Sequence, residues 1–266
     1  MKPISINDYL NHENPWSKRL LGFAEFAKKR DIQQIENEYN LDKYAKLLDY
    51  EFETIEDCKR KEFELGGLPM DAQMVVSVGD ELHKTAVATA RAHYNHTIQA
   101  NIDKYREGNL CELGCGYGYN LSRFKGDCYG GEYSKNAVTL AKKLGAKVSE
   151  FNYYNEADYQ LIKPNTTVFT VHSIEQLPDA SVIIENLEKQ KSKINCVVHF
   201  EPTVVPERKS LLGMMRNKYM ELNDYNRNLI SVLVQNKNIE MLEIRTDLFG
   251  LMPLNSTNLI AWRFKK

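Results

Sequence analysis

An α/β fold is predicted, with a mostly parallel sheet of about seven strands that ends in a C-terminal antiparallel hairpin and is preceded by an α-helical N-terminal region. Three observations carry this expectation. Up to about residue 105 the apolar residues recur at helical spacing, and from Gly108 onward short apolar runs alternate with polar helical segments. The end of the chain holds two strand-like runs around a turn that bears Gly250 and Pro253.

In the first region Ile32, Ile35 and Tyr39, then Leu41, Tyr44 and Leu48, and later Tyr94, Ile98, Ile102 and Tyr105 fall at helical intervals, while strand-like alternation is scarce. Gly66-Gly67-Leu68-Pro69 divides it, because glycine frees the backbone and proline cannot continue a helix. Beyond Gly108, residues 110–113 read as a first strand, 119–124 as the start of its helix and 128–132 as a second strand. Residues 136–144 read as a helix that Gly145 stops. Residues 147–151, 167–172 and 196–200 supply three more strands. A helix over 224–236, a strand over 241–246 and a last strand over 259–264 complete the hairpin.

The connection 201–223 is longer than the usual loop of about 4–6 residues. It holds Leu211, Leu212, Met214, Met215 and Met220, so it is expected to form a helix, either as a substrate lid or as a cover for the core. Residues 1–105 therefore read as a helical accessory cap and 106–266 as the ligand-binding domain.

Composition bounds the function. With 266 residues, 42% hydrophobic and 27% charged, the chain can bury one large core or two modest ones. No apolar run approaches the roughly 18 residues of a membrane helix. The 35 basic and 36 acidic residues give a net charge of -1, which offers no general attraction to nucleic acid or anionic lipid. Lys28-Lys29-Arg30 and Lys59-Arg60-Lys61 lie beside acidic residues and read as solvated helix faces. Residues 1–8 are polar and lack the apolar segment of a secretory signal, and five cysteines make no disulfide framework, so a cytoplasmic location is expected. Cys111 and Cys115 have no second pair at zinc-site spacing, so no metal is expected.

The chemistry is concentrated in Glu112-Leu113-Gly114-Cys115-Gly116-Tyr117-Gly118-Tyr119-Asn120, placed where the first strand should turn into a helix. Glycines let a backbone approach a ligand closely, and a helix N-terminus offers unpaired N–H groups. The register Gly114, Gly116, Gly118 departs from the dinucleotide fingerprint G-x-G-x-x-G, and no Lys-Ser or Lys-Thr pair follows for a phosphate loop. Glu112 would repel a pyrophosphate and suits a ligand that carries an ammonium group.

On these residues the sequence resembles the class I S-adenosylmethionine-dependent methyltransferases, a Rossmann-like superfamily whose first motif is an acidic residue followed by G-x-G-x-G. The resemblance covers about Gly108 to the C-terminus, including the final hairpin. It implies S-adenosylmethionine as cofactor, held by Glu112, Gly114, Cys115, Gly116 and Gly118. It also implies that Glu132, which closes the second strand in Gly130-Gly131-Glu132-Tyr133, binds the ribose hydroxyls beside Tyr133. After the third strand Asn152 and Tyr153 occupy the adenine-contacting place, with asparagine where the family usually has an acid.

The methyl acceptor is expected over the ends of the fourth and fifth strands, at His172-Ser173-Ile174-Glu175-Gln176 and His199-Phe200-Glu201-Pro202. Glu175 and Glu201 could bind an amine and orient its lone pair, which favours nitrogen methylation. His172 could instead take a proton from a hydroxyl, and it borders the cofactor as well. His199 ends an apolar strand and reads equally as a core histidine. Paired glutamates resemble protein arginine methyltransferases, whose acids lie on one hairpin, whereas here they lie on two loops. Tyr117, Tyr119, Tyr133, Tyr153 and Tyr154 could wall a cation. The expected partner is a small-molecule or peptide methyl acceptor, not nucleic acid or a membrane, and a homodimer is compatible with the sequence. A non-catalytic cofactor-binding subunit is the competing class.

Overall fold

The computed structural model describes residues 1–11, 15–26 and 28–265. It opens with strand β1 (Lys2–Ile4), helices α1 (Ile6–Asn11), α2 (Pro15–Leu20) and α3 (Ile32–Ile35), a π-helical stretch over Glu36–Tyr44, then α4 (Ala45–Leu48) and α5 (Ile55–Leu65). Strands β2 (Gln73–Val78) and β3 (Glu81–Ala86) follow, and α6 (Val87–Tyr105) leads into the large sheet. There β4 (Asn109–Leu113), β5 (Cys128–Glu132), α7 (Lys135–Lys143), β6 (Val148–Glu150), β7 (Thr166–Val171), α8 (Ser181–Lys189) and β8 (Ile194–Glu201) come in turn. Helices α9 (Leu211–Leu222) and α10 (Leu229–Gln235) and strands β9 (Ile239–Phe249) and β10 (Thr257–Phe264) complete the chain. Among the described residues no helix is long and apolar enough to cross a membrane.

The large sheet has the order β6-β5-β4-β7-β8-β10-β9. Strands β4 to β8 pair in parallel, and β10 runs antiparallel to both β8 and β9. Parallel strands inside a sheet are covered on both faces, and β7 and β8 are accordingly buried along almost their whole length. Successive side chains alternate between the faces: Cys111, Val168 and Val197 pack with α8 and α10, while Leu110, Phe169 and Val198 pack with α6 and α7. Phe169, Phe200 and Trp262 are fully buried, each contributing about 1.5–3 kcal/mol. Gly145 stops α7 as expected, with φ of 75°.

Four expectations need correction. The N-terminal region also contains a three-stranded antiparallel sheet, β1-β3-β2. Its strands are short, and β3 (Glu-Leu-His-Lys-Thr-Ala) buries only Leu82 and Thr85, so alternation was too weak to read. No α-helix follows β4: residues 114–127 must form the glycine loop and return to β5, and they leave room only for a 3-10 turn at Leu121–Arg123. The 201–223 connection does form a helix, but α9 buries Leu212, Tyr219 and Met220 against Tyr9, Leu82 and Leu254 and so covers the N-terminal sheet. Finally, the basic clusters are not uniformly solvated. Arg30 is buried, donating to the Asn223 carbonyl at 3.2 Å and to the Tyr225 hydroxyl at 3.2 Å, and Lys59 turns inward to Glu62 at 2.9 Å.

Candidate active site

The carboxyl ends of β4, β5, β6 and β7 open into one cleft of about 330 Å³. Chain order reverses at β4, which lies between β5 and β7, and such a switch point is where open α/β sheets leave a crevice. The π-helical stretch, α5 and α6 supply the opposite wall through Tyr39, Asn40, Lys43, Tyr44, Lys59, Glu62, Arg91 and Tyr94.

The glycine loop forms the floor. A Cβ on Gly114, where φ is 72°, would lie 2.3 Å from Ser173 Cβ, and one on Gly116 would lie 2.6 Å from the Tyr44 hydroxyl. Both residues line the cleft, as do Glu112, Cys115, Tyr117 and Tyr119. Gly118 does not line it: its missing Cβ faces Ala146 at 2.9 Å, so it seats the loop against the segment before β6. Four amides of this stretch are already engaged. The amides of Gly114 and Cys115 donate to the Gly131 carbonyl at 2.8 and 3.1 Å, and that of Gly118 donates to the Cys115 carbonyl at 3.0 Å. The Gly116 amide donates to Glu132 Oε2 at 2.7 Å. The amides of Gly114, Cys115, Gly116 and Gly118 are thus spent within the protein.

Glu112 is fully buried. Its Oε1 accepts from Asn120 Nδ2 at 2.6 Å, whereas Oε2 has no hydrogen-bond partner among the described residues. Burial pushes its carboxyl well above the ordinary range. An orphaned buried acceptor of this kind fits an ammonium donor. Glu132 Oε1 accepts from the Ser134 amide at 2.8 Å, so each of its oxygens keeps a lone pair. Burial raises its pKa, and the amides of Ser134 and Gly116 partly offset that. Ser134 caps α7 and donates through Oγ to Asn40 Oδ1 at 2.8 Å, which also accepts from the Asn136 amide at 2.8 Å. Asn40 thus pins the π-helical stretch beside Glu132.

After β6, Asn152 and Tyr153 both border the cleft. Tyr153 acts as a brace, its hydroxyl donating to the Leu113 carbonyl at 2.7 Å and lying 2.7 Å from Ser173 Oγ. Asn152 Oδ1 accepts from the Tyr154 amide at 2.9 Å.

His172 directly follows the last residue of β7 and has φ of 50°. A non-glycine residue held there is strained, and such strain concentrates at functional sites. His172 Nδ1 lies 3.0 Å from Glu175 Oε2 and Nε2 lies 2.6 Å from Thr257 Oγ1. Burial lowers the His172 pKa, but the charge and hydrogen bond of Glu175 outweigh it and the net shift is upward. Glu175 lines the cleft, and Asn255 Nδ2 and Gln176 Nε2 also donate to it, at 3.2 and 2.8 Å. Glu201 does not line the cleft, which corrects its assignment as a catalytic group. Its oxygens accept from the backbone amides of Ser173 and Glu175, both at 3.0 Å, and so shape the 172–176 loop from behind. His199 is a core residue: Thr170 Oγ1 lies 3.0 Å from its Nδ1, and burial pushes its pKa down to about 3.

Glu201 has a pH signature. Burial and then the like charge of Glu175 push its pKa up to about 7, from an ordinary 4.5. The folded state therefore holds the proton more tightly than the unfolded chain, and stability falls as pH rises from 4.5 to 7. The Glu201 contribution is on the order of 3 kcal/mol. Urea unfolding across this range should show a shallower fall with pH for Glu201→Gln than for the parent chain, and equal slopes would contradict the assignment.

Sequence reasoning missed the cations and acid of the far wall, Lys43, Lys59, Glu62 and Arg91. The available signal was spacing: Lys59, Glu62 and Phe63 stand at i, i+3 and i+4, which is one helix face. Among the described residues no cluster of three or more potential ligands could hold a metal ion.

No protein-family model matches the chain, and no curated protein matches it. Solved structures do. Magnesium protoporphyrin IX methyltransferase from Synechocystis PCC 6803 with bound SAH is 12% identical, with a TM-score of 0.51 over 88% of this chain and 98% of that one. The N-methyltransferase NodS from Bradyrhizobium japonicum WM9, in complex with S-adenosyl-L-homocysteine, is 10% identical, with a TM-score of 0.47 over 66% and 87%. The first likeness, together with the strand order, shows that the chain has the fold of the class I methyltransferases.

Proposed function

We propose that the chain is an S-adenosylmethionine-dependent methyltransferase that acts on a nitrogen of a small molecule or peptide side chain. The reading rests on one observation: the glycine loop lies between two buried carboxylates at the ends of neighbouring strands, and Glu112 Oε2 is left without a partner. Glu112 would accept from the cofactor's ammonium group and Glu132 from the ribose hydroxyls, each a charge-assisted hydrogen bond. The magnesium protoporphyrin IX methyltransferase of like fold holds bound SAH, which supports the choice of cofactor.

When bound, S-adenosylmethionine supplies a methyl group on a positively charged sulfur. Alignment with the acceptor then provides much of the acceleration. As the acceptor nitrogen donates its lone pair it becomes positive, and the Glu175 carboxylate stands where that charge would develop. His172 holds Glu175 in place through Nδ1, and its Nε2 is engaged by Thr257. With both ring nitrogens in use, His172 is poorly placed to take a proton from a hydroxyl, which favours nitrogen over oxygen as acceptor. Residues 1–105 would wall the acceptor pocket through Tyr39 and Tyr94.

Calorimetric titration with S-adenosylmethionine and S-adenosylhomocysteine tests the cofactor, with micromolar binding expected. Glu132→Gln should weaken it about tenfold, since a neutral amide makes the weaker hydrogen bond. Methyl-labelled cofactor incubated with panels of amines, peptides and phenols should then label amines and not phenols. Failure of both ligands to bind would remove the proposal, and labelled phenols alone would move the acceptor atom to oxygen.

A further inference from the structure

The wall facing the carboxylates is electrically unbalanced. Lys43, Lys59 and Arg91 all border the cleft. Among the described residues one well-buried carboxylate pairs with two of them: Glu62, with Oε1 at 2.7 Å from Lys43 Nζ and Oε2 at 2.9 Å from Lys59 Nζ. Glu62 also accepts from the Tyr117 hydroxyl at 2.7 Å, so three donors already share it. Among the described residues the carboxylate in ion-pair range of Arg91 is Glu56, at 3.7 Å. That side chain is 56% exposed and is shared with Arg123 at 3.6 Å.

The positions of these cations are tightly held. The Arg91 side chain is only 10% exposed. It donates to the Tyr119 hydroxyl at 2.9 Å and stacks on Phe63 with its guanidinium carbon 4.8 Å from the ring centre. Lys59 Nζ sits 5.1 Å from the centre of the Tyr119 ring. Burial lowers the Lys59 pKa, and the charges of Lys43 and Arg91 push the same way against Glu62. Cations withdrawn from water with too few counter-ions are costly. An anionic group entering the cleft would relieve that cost, and the planar fork of Arg91 suits a carboxylate.

We propose that Lys59 and Arg91, with Lys43 behind them, form a subsite for a carboxylate of the ligand. This rests on the methyltransferase reading, under which two ligand parts can present a carboxylate: the amino-acid end of the cofactor, whose ammonium would meet Glu112, or the methyl acceptor.

Titration of Lys59→Met and Arg91→Gln with two ligands separates these. S-adenosylhomocysteine carries the amino-acid end, whereas 5′-methylthioadenosine keeps the adenosine and thioether without it and also reports that each variant is folded. Each substitution is expected to weaken S-adenosylhomocysteine about tenfold or more and to leave 5′-methylthioadenosine within about twofold, which assigns the subsite to the cofactor. If both affinities are unchanged, thermal protection of the S-adenosylhomocysteine complex by amino acids and aminobenzoates is compared with that by their methyl esters. Protection by the acids alone, lost in the variants, assigns the subsite to the acceptor. Unchanged affinities together with no selective protection overturn the proposal. A parent protein that binds neither nucleoside fails at the cofactor reading itself, a distinct result with which the subsite also falls.

Discussion

Glu175→Gln is expected to lower kcat about 100- to 1000-fold and to leave the affinity for S-adenosylhomocysteine within about twofold. The asymmetry follows from where the residue sits. Glu175 and His172 lie just beyond β7, and Glu112 and Glu132, proposed to hold the cofactor, lie at the ends of β4 and β5. Under the proposed function, ground-state binding of the cofactor would not draw on Glu175. Charge that moves to an acceptor nitrogen would, because a carboxylate in a partly closed cleft stabilises it far more than water does. Glutamine also removes the group that raises the His172 pKa, so the midpoint of His172 titration, followed by NMR, should fall in the variant. The measurement is single-turnover methyl transfer to the amine identified by labelling. A kcat within about threefold of the parent enzyme would show that Glu175 does not face the developing charge.

The residues legible in the sequence are those whose partners lie a few positions away along the chain. Glu112, Gly114, Gly116 and Glu132 occupy strand ends and a tight loop, and a strand, loop, strand succession fixes their relation before any tertiary contact is known. Gly145 was likewise readable as a helix stop, from composition alone. What could not be read depends on contacts between distant segments. Glu201 looked like a site acid because it closes β8, yet its carboxylate is consumed by the amides of Ser173 and Glu175. Lys59 looked solvated among charged neighbours, yet α5 packs so that its 59, 62 and 63 face turns into the cleft. The π-helical winding of Glu36–Tyr44 has no signature in periodicity, and it turns Tyr39, Asn40, Lys43 and Tyr44 together toward the cleft. No α-helix follows the glycine loop either, because residues 114–127 return to β5 through a 3-10 turn at Leu121–Arg123, and four of the loop's amides are engaged within the protein.

Gly114→Ala is expected to cost about 2–5 kcal/mol of stability and to lower Tm by roughly 10 °C. Two separable effects contribute. An L-residue at φ of 72° is strained, by about 1–2 kcal/mol. The added methyl would also lie 2.3 Å from Ser173 Cβ and 2.6 Å from Ser173 Oγ, and Ser173 cannot yield easily. Its Oγ donates to the Leu113 carbonyl at 3.0 Å and its amide is fixed to Glu201 at 3.0 Å. Displacing Ser173 would also loosen the brace to Tyr153 and shift the loop that carries His172 and Glu175, so methyl transfer should fall in molecules that remain folded. Gly145→Ala isolates the first effect, because φ there is 75° and nothing lies within 4 Å of the added methyl. That variant should lose only about 1–2 kcal/mol. Thermal unfolding of the two side by side measures the difference. Equal Tm values would mean that backbone strain alone makes glycine necessary at 114, and that the approach between the glycine loop and the β7 loop has slack the methyl can use.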